Sequence, residues 1–446
     1  MSANFLAAIS GVKNPPVVPV VTVDWPAGNG GTAYYASEPF LYFTQRIPEG
    51  GIDNVVVAVS ERPSDLSSQT FRLSLDDKDG AITAIVEGKA NIRRSRVRAQ
   101  LAHAQVASAD WFTFFDGIVD DWQYESGVII LGCRTDEIAL MGFVPKVPLL
   151  PGSVPALCAS SRGIYAPVIY GIHDDQSLGA DGAVTCIPVD TSDSDSAGKF
   201  WIVGLGALKD VSRCYKNGTL LTEGGGSDWT HTTKVWGGTT YTVVQIVGNS
   251  KTGDTVACDV EGLTDVGAGT GGLIVGASAQ LKHFLSNFVY GDWRTGSWLS
   301  DPSVIDAASF ASADSFLSKY GSEGSMYVGG TTEQTRAIDI VNGWLRSQPM
   351  IRARWSNAGE LGLRVIDHAS GDYVSTPWVQ SERDELSPLQ YEAVAGQLVS
   401  RVSLSYLPGQ RAGKLWQSLD LQDLQLWQTE KTIEQFSLNY SAARFQ

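Results

Sequence analysis

A chain of 446 residues is longer than one compact domain usually runs, and its hydrophobic share of 43% lets it bury several cores without disulfide or metal staples. A formal net charge of −15 argues against a surface that grips a nucleic-acid backbone, although an acidic channel would let DNA pass without adhering. Frequent glycine (47) with 10% aromatic residues favours β-structure with tight turns over helical bundles.

Residues 1–17 read as an extension. Met1 to Ser10 is weakly apolar and lacks the basic residues and long apolar core of an export signal, and no apolar run reaches membrane-spanning length, so a soluble protein without membrane insertion is expected. The stretch 18–150 reads as a β-barrel or sandwich with one small helix. Strands are expected at 18–25, 34–45 and 52–60, a turn at Gly28 to Gly31, and a short helix near 79–88. The stretch 92–101 follows as a strand, with Arg94, Arg96 and Arg98 on one face. Strands at 111–119 and 124–133 are joined through Asp120-Asp121-Trp122.

Pro145, Pro148, Pro151 and Pro155 mark a linker in 151–183 and its approach, with a strand at 166–171. The stretch 184–290 changes texture, with an acidic tract at Asp190, glycine-rich turns, and strands at 200–203, 241–247 and 255–260, giving an inserted β domain. Helical signals gather in 291–390. Asp301-Pro302 is a helix start, Thr331-Thr332-Glu333-Gln334 offers a capping box, and Ala337, Ile340, Val341 and Trp344 repeat at helical spacing. Ile351, Ala353 and Trp355 then alternate with arginines, and Asn357-Ala-Gly turns the chain into Leu361, Leu363 and Val365 as a hairpin. The stretch 391–446 ends in alternating strands around Leu404 and Leu438.

Four segments in this order carry a resemblance: Phe115-Asp-Gly-Ile-Val with Trp122 and 128–131; Cys214-Tyr-Lys-Asn-Gly with Cys258-Asp-Val-Glu-Gly; the helix at 332–346 leading into the 351–365 hairpin; and 398–406 with Gly413-Lys-Leu-Trp. Together they resemble the baseplate hub and tail-tip proteins of long-tailed bacteriophages, including the hub components of gene-transfer-agent particles. The resemblance implies a mainly β fold with minor α: two tail-tube-like β-barrels, the second split by an inserted β domain and a small α/β region. One barrel would span 18–150. The other would combine the 166–171 strand with the segments after 398.

The implied role is structural and non-enzymatic. The hub closes the tail tube, docks the end of the tape-measure protein, supports receptor-binding and tip proteins, and opens for DNA ejection. The implied partners are two further copies in a homotrimer, the distal tail protein ring, the tape-measure protein and the tip or central fibre proteins, with phage DNA only in transit. The implied place is the virion tail tip, assembled in the bacterial cytoplasm. Three copies with two barrels each would present six near-equivalent barrels to a sixfold tube. The clustered C-terminal cysteines of lambda-type tips have no counterpart here, and no cofactor is expected.

The individual constellations weigh the same way. Cys133, Cys158, Cys186, Cys214 and Cys258 are dispersed without a CxxC pair and read as reduced core thiols. Five Asp-Trp pairs place tryptophan at 25, 111, 122, 229 and 293. Core filling beside Asp-shaped turns is the reading favoured, and sugar stacking by exposed rings supports the alternative of a carbohydrate-binding or glycan-cleaving particle protein. Asp181, Asp190, Asp193 and Asp195 read as a solvated acidic loop rather than a calcium site. His103, His173, His231, His283 and His368 form no metal or catalytic spacing, and Glu382 with Asp384 carries little weight as a glycosidase pair. Gly267, Gly269 and Gly272 match a dinucleotide fingerprint in letters, but no buried strand is expected before them. No catalytic, cofactor or metal residue is therefore assigned. Arg93, Arg94, Arg96 and Arg98, the dense basic group of an acidic chain, are expected to meet the acidic rim of a neighbouring subunit.

Overall fold

The computed structural model describes residues 3–10, 16–26, 31–53, 55–57, 66, 68–87, 92–155, 157–174, 179–189, 199–224, 228–247, 253–265, 269, 271–291, 304–319, 324–348, 350–365, 401–408, 415–422 and 436–437, with 56–57, 199 and everything after 400 described by backbone alone. The chain divides into two compact units, one of Met1–Met141 with Ser303–Ser309 and Ala353–Leu363, the other of Gly142–Pro302 with Phe310–Arg352 and Arg364–Gln446. Both are rich in strands, and the fold is mainly β with minor α.

The first unit opens with α1 (Ala3–Ile9), followed by β1 (Val17–Asp24), β2 (Thr32–Ala36), β3 (Thr44–Gln45), β4 (Val56–Val57), β5 (Gln69–Asp76), α2 (Ala81–Glu87), β6 (Arg96–His103), β7 (Phe112–Glu125) and β8 (Val128–Arg134). The eight strands form one curled sheet in the order β3-β2-β1-β6-β7-β8-β5-β4. β1 reads as a nearly continuous apolar run because it is buried on both faces. Val21 and Val23 enter the main core with Phe71, Leu73, Leu75, Val97, Phe115, Ile129 and Leu131. Val18 and Val20 enter a second cluster with Phe40, Phe43 and Trp111.

Beyond β3 the chain does not leave the sheet. The Arg46 N–H donates to the Ala36 carbonyl of β2 at 3.1 Å, while the Asp76 N–H of β5 donates to the Arg46 carbonyl at 2.7 Å. The Ser74 N–H then donates to Gly51 at 2.7 Å, and the Asp53 N–H to Arg72 at 3.1 Å. Asp77 starts α2, its two carboxylate oxygens accepting from the N–H groups of Ile82 (2.6 Å) and Thr83 (2.8 Å).

The structure departs from three local expectations. The segment Asp120-Asp121-Trp122 does not join two strands: β7 runs through it, a bulge between Val119 and Asp121 absorbing the extra residue, and the hairpin turns at Ser126-Gly127. Both turn residues have positive φ (50° and 82°), the geometry of a two-residue hairpin loop. The strand expected over 92–101 begins only at Arg96, since Arg94 is left-handed (φ 74°) and the Ser95 N–H closes a turn onto Ile92 at 3.0 Å. The long strand expected at 34–45 is replaced by β2 and β3 because Phe40 to Phe43 is a tight turn, while the strand expected at 52–60 lies partly outside the described residues, β4 being its described part.

The second unit contains β9 (Phe143–Val144), β10 (Val168–Tyr170), β11 (Ile172–His173), β12 (Val184–Thr185), β13 (Ile187–Pro188), β14 (Lys199–Leu205), β15 (Leu208–Lys216), β16 (Thr219–Leu220), β17 (Trp229–Trp236), β18 (Thr239–Ile246) and β19 (Val256–Leu263). After these come α3 (Ala277–Phe284), which runs on into one wider turn, then α4 (Ala307–Ser318), β20 (Met326–Val328), β21 (Thr335–Arg336) and α5 (Ala337–Ser347). One sheet runs β11-β19-β15-β16 with β12 also on β19, and another runs β13-β14-β18-β17. The helices are tied by polar contacts: Asp314 of α4 accepts from Ser278 at 3.1 Å, and the Trp344 indole of α5 donates to the Ala277 carbonyl at 3.1 Å. Ala337, Ile340, Val341 and Trp344 are buried, as their spacing predicts. The capping box does not cap: Thr335 and Arg336 pair with β9, so the helix starts at Ala337, and Gln334 reaches the Pro145 carbonyl instead.

The hairpin expected over 351–365 is present as β22 (Ile351–Trp355) and β23 (Leu361–Val365), turning at Gly359. β24 (Arg401–Pro408), β25 (Leu415–Gln422) and β26 (Phe436–Ser437) form a sheet of their own in the order β25-β24-β26. The strand expected at 166–171 to complete a second barrel with these segments pairs instead with β20, Val168 lying opposite Val328. The Gly28 to Gly31 turn and the Asp301-Pro302 helix start lie outside the described residues except Gly31.

Candidate assembly surface

The four arginines occupy the join between β6 and β7. Arg93 and Arg94 are exposed in the turn that precedes β6, while Arg96 and Arg98 stand on the same face of the strand, opposite Ile118 and Asp116. Asp116 is buried and is shared by both: Arg96 Nε lies 2.8 Å from Oδ1, and Arg98 Nε lies 2.7 Å from Oδ2. The carboxylate raises the Arg96 pKa further above its ordinary value. Sequence separates these partners by 18–20 positions, and the β6–β7 register brings them together. Arg96 and Arg98 thus serve an intrachain carboxylate, while their outer halves stay in solvent.

The same join leaves part of β7 without a neighbour on one side among the described residues. β6 pairs with β7 from Phe112 to Ile118, and the last bonds are Arg94 N–H to Val119 and Val119 N–H to Ser95. From Asp120 to Glu125 the described backbone partner is β8 alone, and all six residues are exposed. Trp122 and Tyr124 are 43% and 54% exposed. A groove of about 360 Å³ runs beside this segment, lined among others by Asp53, Arg72, Asp121, Gln123 and Arg134. Arg134 is bridged to Asp120 at 3.1 Å.

The remaining candidates resolve into packing where they are described. Of the Asp-Trp tryptophans, Trp25, Trp111 and Trp229 are buried, Trp25 donating to the Tyr35 hydroxyl at 3.1 Å and Trp111 to the Val106 carbonyl at 3.0 Å. Trp122 departs from that reading, and Trp293 lies outside the described residues. His173 is buried against the Tyr170 carbonyl at 3.0 Å, and the Tyr170 hydroxyl meets Nδ1 of His283 at 2.7 Å. Burial pushes both imidazoles down to about 4. His103 is buried at the end of β6, and His231 lies between Asp210 (3.7 Å) and Glu223 (3.5 Å).

The glycine stretch 267–272 does follow a buried strand, β19, contrary to expectation. That strand is antiparallel to its neighbours and α3 begins only at Ala277, so the parallel crossover of a dinucleotide site is not formed there. Among the described residues no three His, Cys, Asp or Glu side chains converge as a metal set. Asp190, Asp193, Asp195, His368, Glu382 and Asp384 lie outside the described residues. All five cysteines are buried thiols outside any disulfide. The fold gathers three that sequence disperses: Cys214 lies opposite Cys258 across β15 and β19, and Cys186 Sγ is 3.5 Å from Cys258 Sγ.

The exposed half of β7 was not legible as such in the sequence. The signal that marks it is an aromatic at every second place, Trp122 and Tyr124, among acidic residues and directly before a Ser-Gly turn. No family model matches the sequence, and no curated protein matches it. Among solved structures, a chain of the virion of a native gene transfer agent particle is similar at 11% identity, covering 58% of this chain and 84% of that one with a TM-score of 0.26. So distant a likeness has no bearing on function.

Proposed function

We propose that this chain is a non-enzymatic structural subunit of a bacteriophage tail tip, a hub that closes the tail tube, docks the tape-measure protein and carries the tip or central fibre proteins. The observation that supports it most is the first unit itself. A curled sheet wraps the main core of the unit, and the 46–53 segment hydrogen-bonds to β2 at one side and β5 at the other through Arg46. On this reading the sheet completes a tube-like barrel. A closed wall of that kind hides its strand edges, Asp120 to Glu125 of β7 apart, and suits a wall element of a channel. The second unit would supply the other barrel-like element, so that three copies match a sixfold tube above them. An acidic lumen would let DNA slide past like charge. Conformational change at the tip, rather than chemistry, would open the path.

The reading is tested by deleting the gene in its phage. Particles with tubes that fail to close at the distal end are expected, and complete, infectious tails without this protein would refute it. A second reading, a glycan-binding particle protein, is favoured by one observation, the exposed Trp122 in the lining of a groove that also carries Asp53, Arg72 and Asp121. Binding of the purified chain to a glycan array, lost in Trp122→Ala, would support that reading.

A further inference from the structure

We propose that the open edge of β7 pairs with the open edge of β17 in a second copy of this chain, in an antiparallel register that sets Trp122 opposite Val235 and Tyr124 opposite Thr233. The idea rests on the hub reading only for the number of copies expected.

Several other sheet ends are strands of two residues, among them β3, β4, β13 and β16. β7 and β17 are different. Asp120 to Glu125 lacks a described partner beyond β8, and β17, with eight residues, is the last strand of its sheet. A parallel bridge from Glu223 to Trp229 covers the start of β17, leaving 232–236 open among the described residues. Thr232, Thr233 and Val235 are exposed, Val235 by 67%.

The phase of each edge follows from its turn. Ser126-Gly127 and Gly237-Gly238 are two-residue loops with positive φ throughout, so the pairs that flank them, Glu125/Val128 and Trp236/Thr239, are hydrogen-bonded to each other. Bonding alternates along an antiparallel ladder, so the N–H and C=O groups of Trp122 and Tyr124 point away from β8, and those of Thr233 and Val235 point away from β18. Each edge therefore offers two outward backbone sites, two residues apart.

Antiparallel pairing satisfies all of them and sorts the side chains. On one face the aromatics meet a β-branched residue each, a favourable cross-strand combination. On the other face Gln123 lies opposite Lys234, with Asp121 and Glu125 on its diagonals. The open part of β17 carries a lysine and no carboxylate, while that of β7 carries Asp120, Asp121 and Glu125. Pairing β7 with another β7 would set like charges together. The β7–β17 contact is heterologous, so copies close into a ring or grow as a filament, and the hub reading expects a ring of three.

Sedimentation of the full chain over a concentration series reads the association. Tyr124→Pro and Thr233→Pro each remove one outward N–H without touching the partner within the sheet. Each is expected to weaken self-association at least tenfold, with an unchanged thermal melt. Two exposed charge changes give an independent test. Glu125→Lys alone and Thr232→Glu alone should each weaken association, and one chain carrying both should recover it, because 125 and 232 face each other in this register. A wild-type chain that stays monomeric, proline variants that associate like the wild type, or a double variant no better than its singles would overturn the pairing. Self-association insensitive to all four changes would also overturn it while leaving the hub reading intact, which stands or falls on the presence of the chain in particles.

Discussion

The backbone N–H of Arg94 donates to the carbonyl of Val119 at 2.8 Å, and with that bond the pairing of β6 and β7 ends. Arg94 has a φ of 74°, and the Ser95 N–H closes a turn onto Ile92, so the regular ladder of β6 starts only at Arg96. Among the described residues, β7 loses its second neighbour at the point where Arg94 takes this left-handed conformation.

That conformation gives a first prediction. A side chain with a Cβ is strained there by roughly 1–2 kcal/mol, and a β-branched one more so. Arg94→Gly should leave the unfolding free energy from urea titration within about 1 kcal/mol of the wild type, since relief of strain is offset by the looser unfolded chain. Arg94→Val should lower stability by about 1–2 kcal/mol. Equal stability of the two variants would show that the turn is not held as described.

A second prediction separates two glycines of the same hairpin. A Cβ on Gly117 would run into the backbone carbonyl of Arg134 and the Phe115 ring, neither of which has room to yield. A Cβ on Gly132 would meet the carboxylate end of Asp121, which can swing into solvent. Gly117→Ala should cost about 2–3 kcal/mol and Gly132→Ala clearly less, under about 1.5 kcal/mol. Chemical denaturation of both variants checks the order.

How much of this was legible in the sequence differs by region. The helical face of α5, the 351–365 hairpin, β1 and α2 follow from periodicity and turn residues that no tertiary contact overrides. β7 was missed as one strand because Asp120-Asp121 looks like a turn, whereas a bulge carries the strand through it and Ser126-Gly127 turns it. The Thr331 capping box failed because the pairing of Thr335 and Arg336 with β9 outcompetes an earlier helix start. The arginine group was visible as charge, but its partner Asp116 depends on strand register, which composition does not encode. The clustering of Cys186, Cys214 and Cys258 is likewise a product of register.

The buried histidines set a pH dependence. His173 and His283 have pKa values of about 4 in the fold, against an ordinary value near 6.5 in the unfolded chain. The unfolded state therefore binds more protons below pH 6.5. Their contribution is whole above that pH and is lost as pH falls towards about 4, by an amount on the order of 2–3 kcal/mol for each. The His173→Gln/His283→Gln variant should show a shallower loss of stability between pH 6.5 and 4 than the wild type. An identical slope would contradict the neutral, buried assignment.

The thiols give a count. All five are buried, and burial raises the pKa of Cys133 and Cys258. A thiol reagent should find almost none in the native protein and all five after denaturation without reductant. A shortfall of two would reveal a disulfide, with Cys186 and Cys258 the first pair to examine.

The hub reading is tested most directly by a three-dimensional reconstruction of the intact particle with this chain located in it. The account predicts three copies around the tube axis at its distal end, each with its curled first unit in the tube wall and the exposed half of β7 against a neighbouring copy. A ring of six copies, a single monomer off the axis, or particles that lack the chain altogether would contradict it.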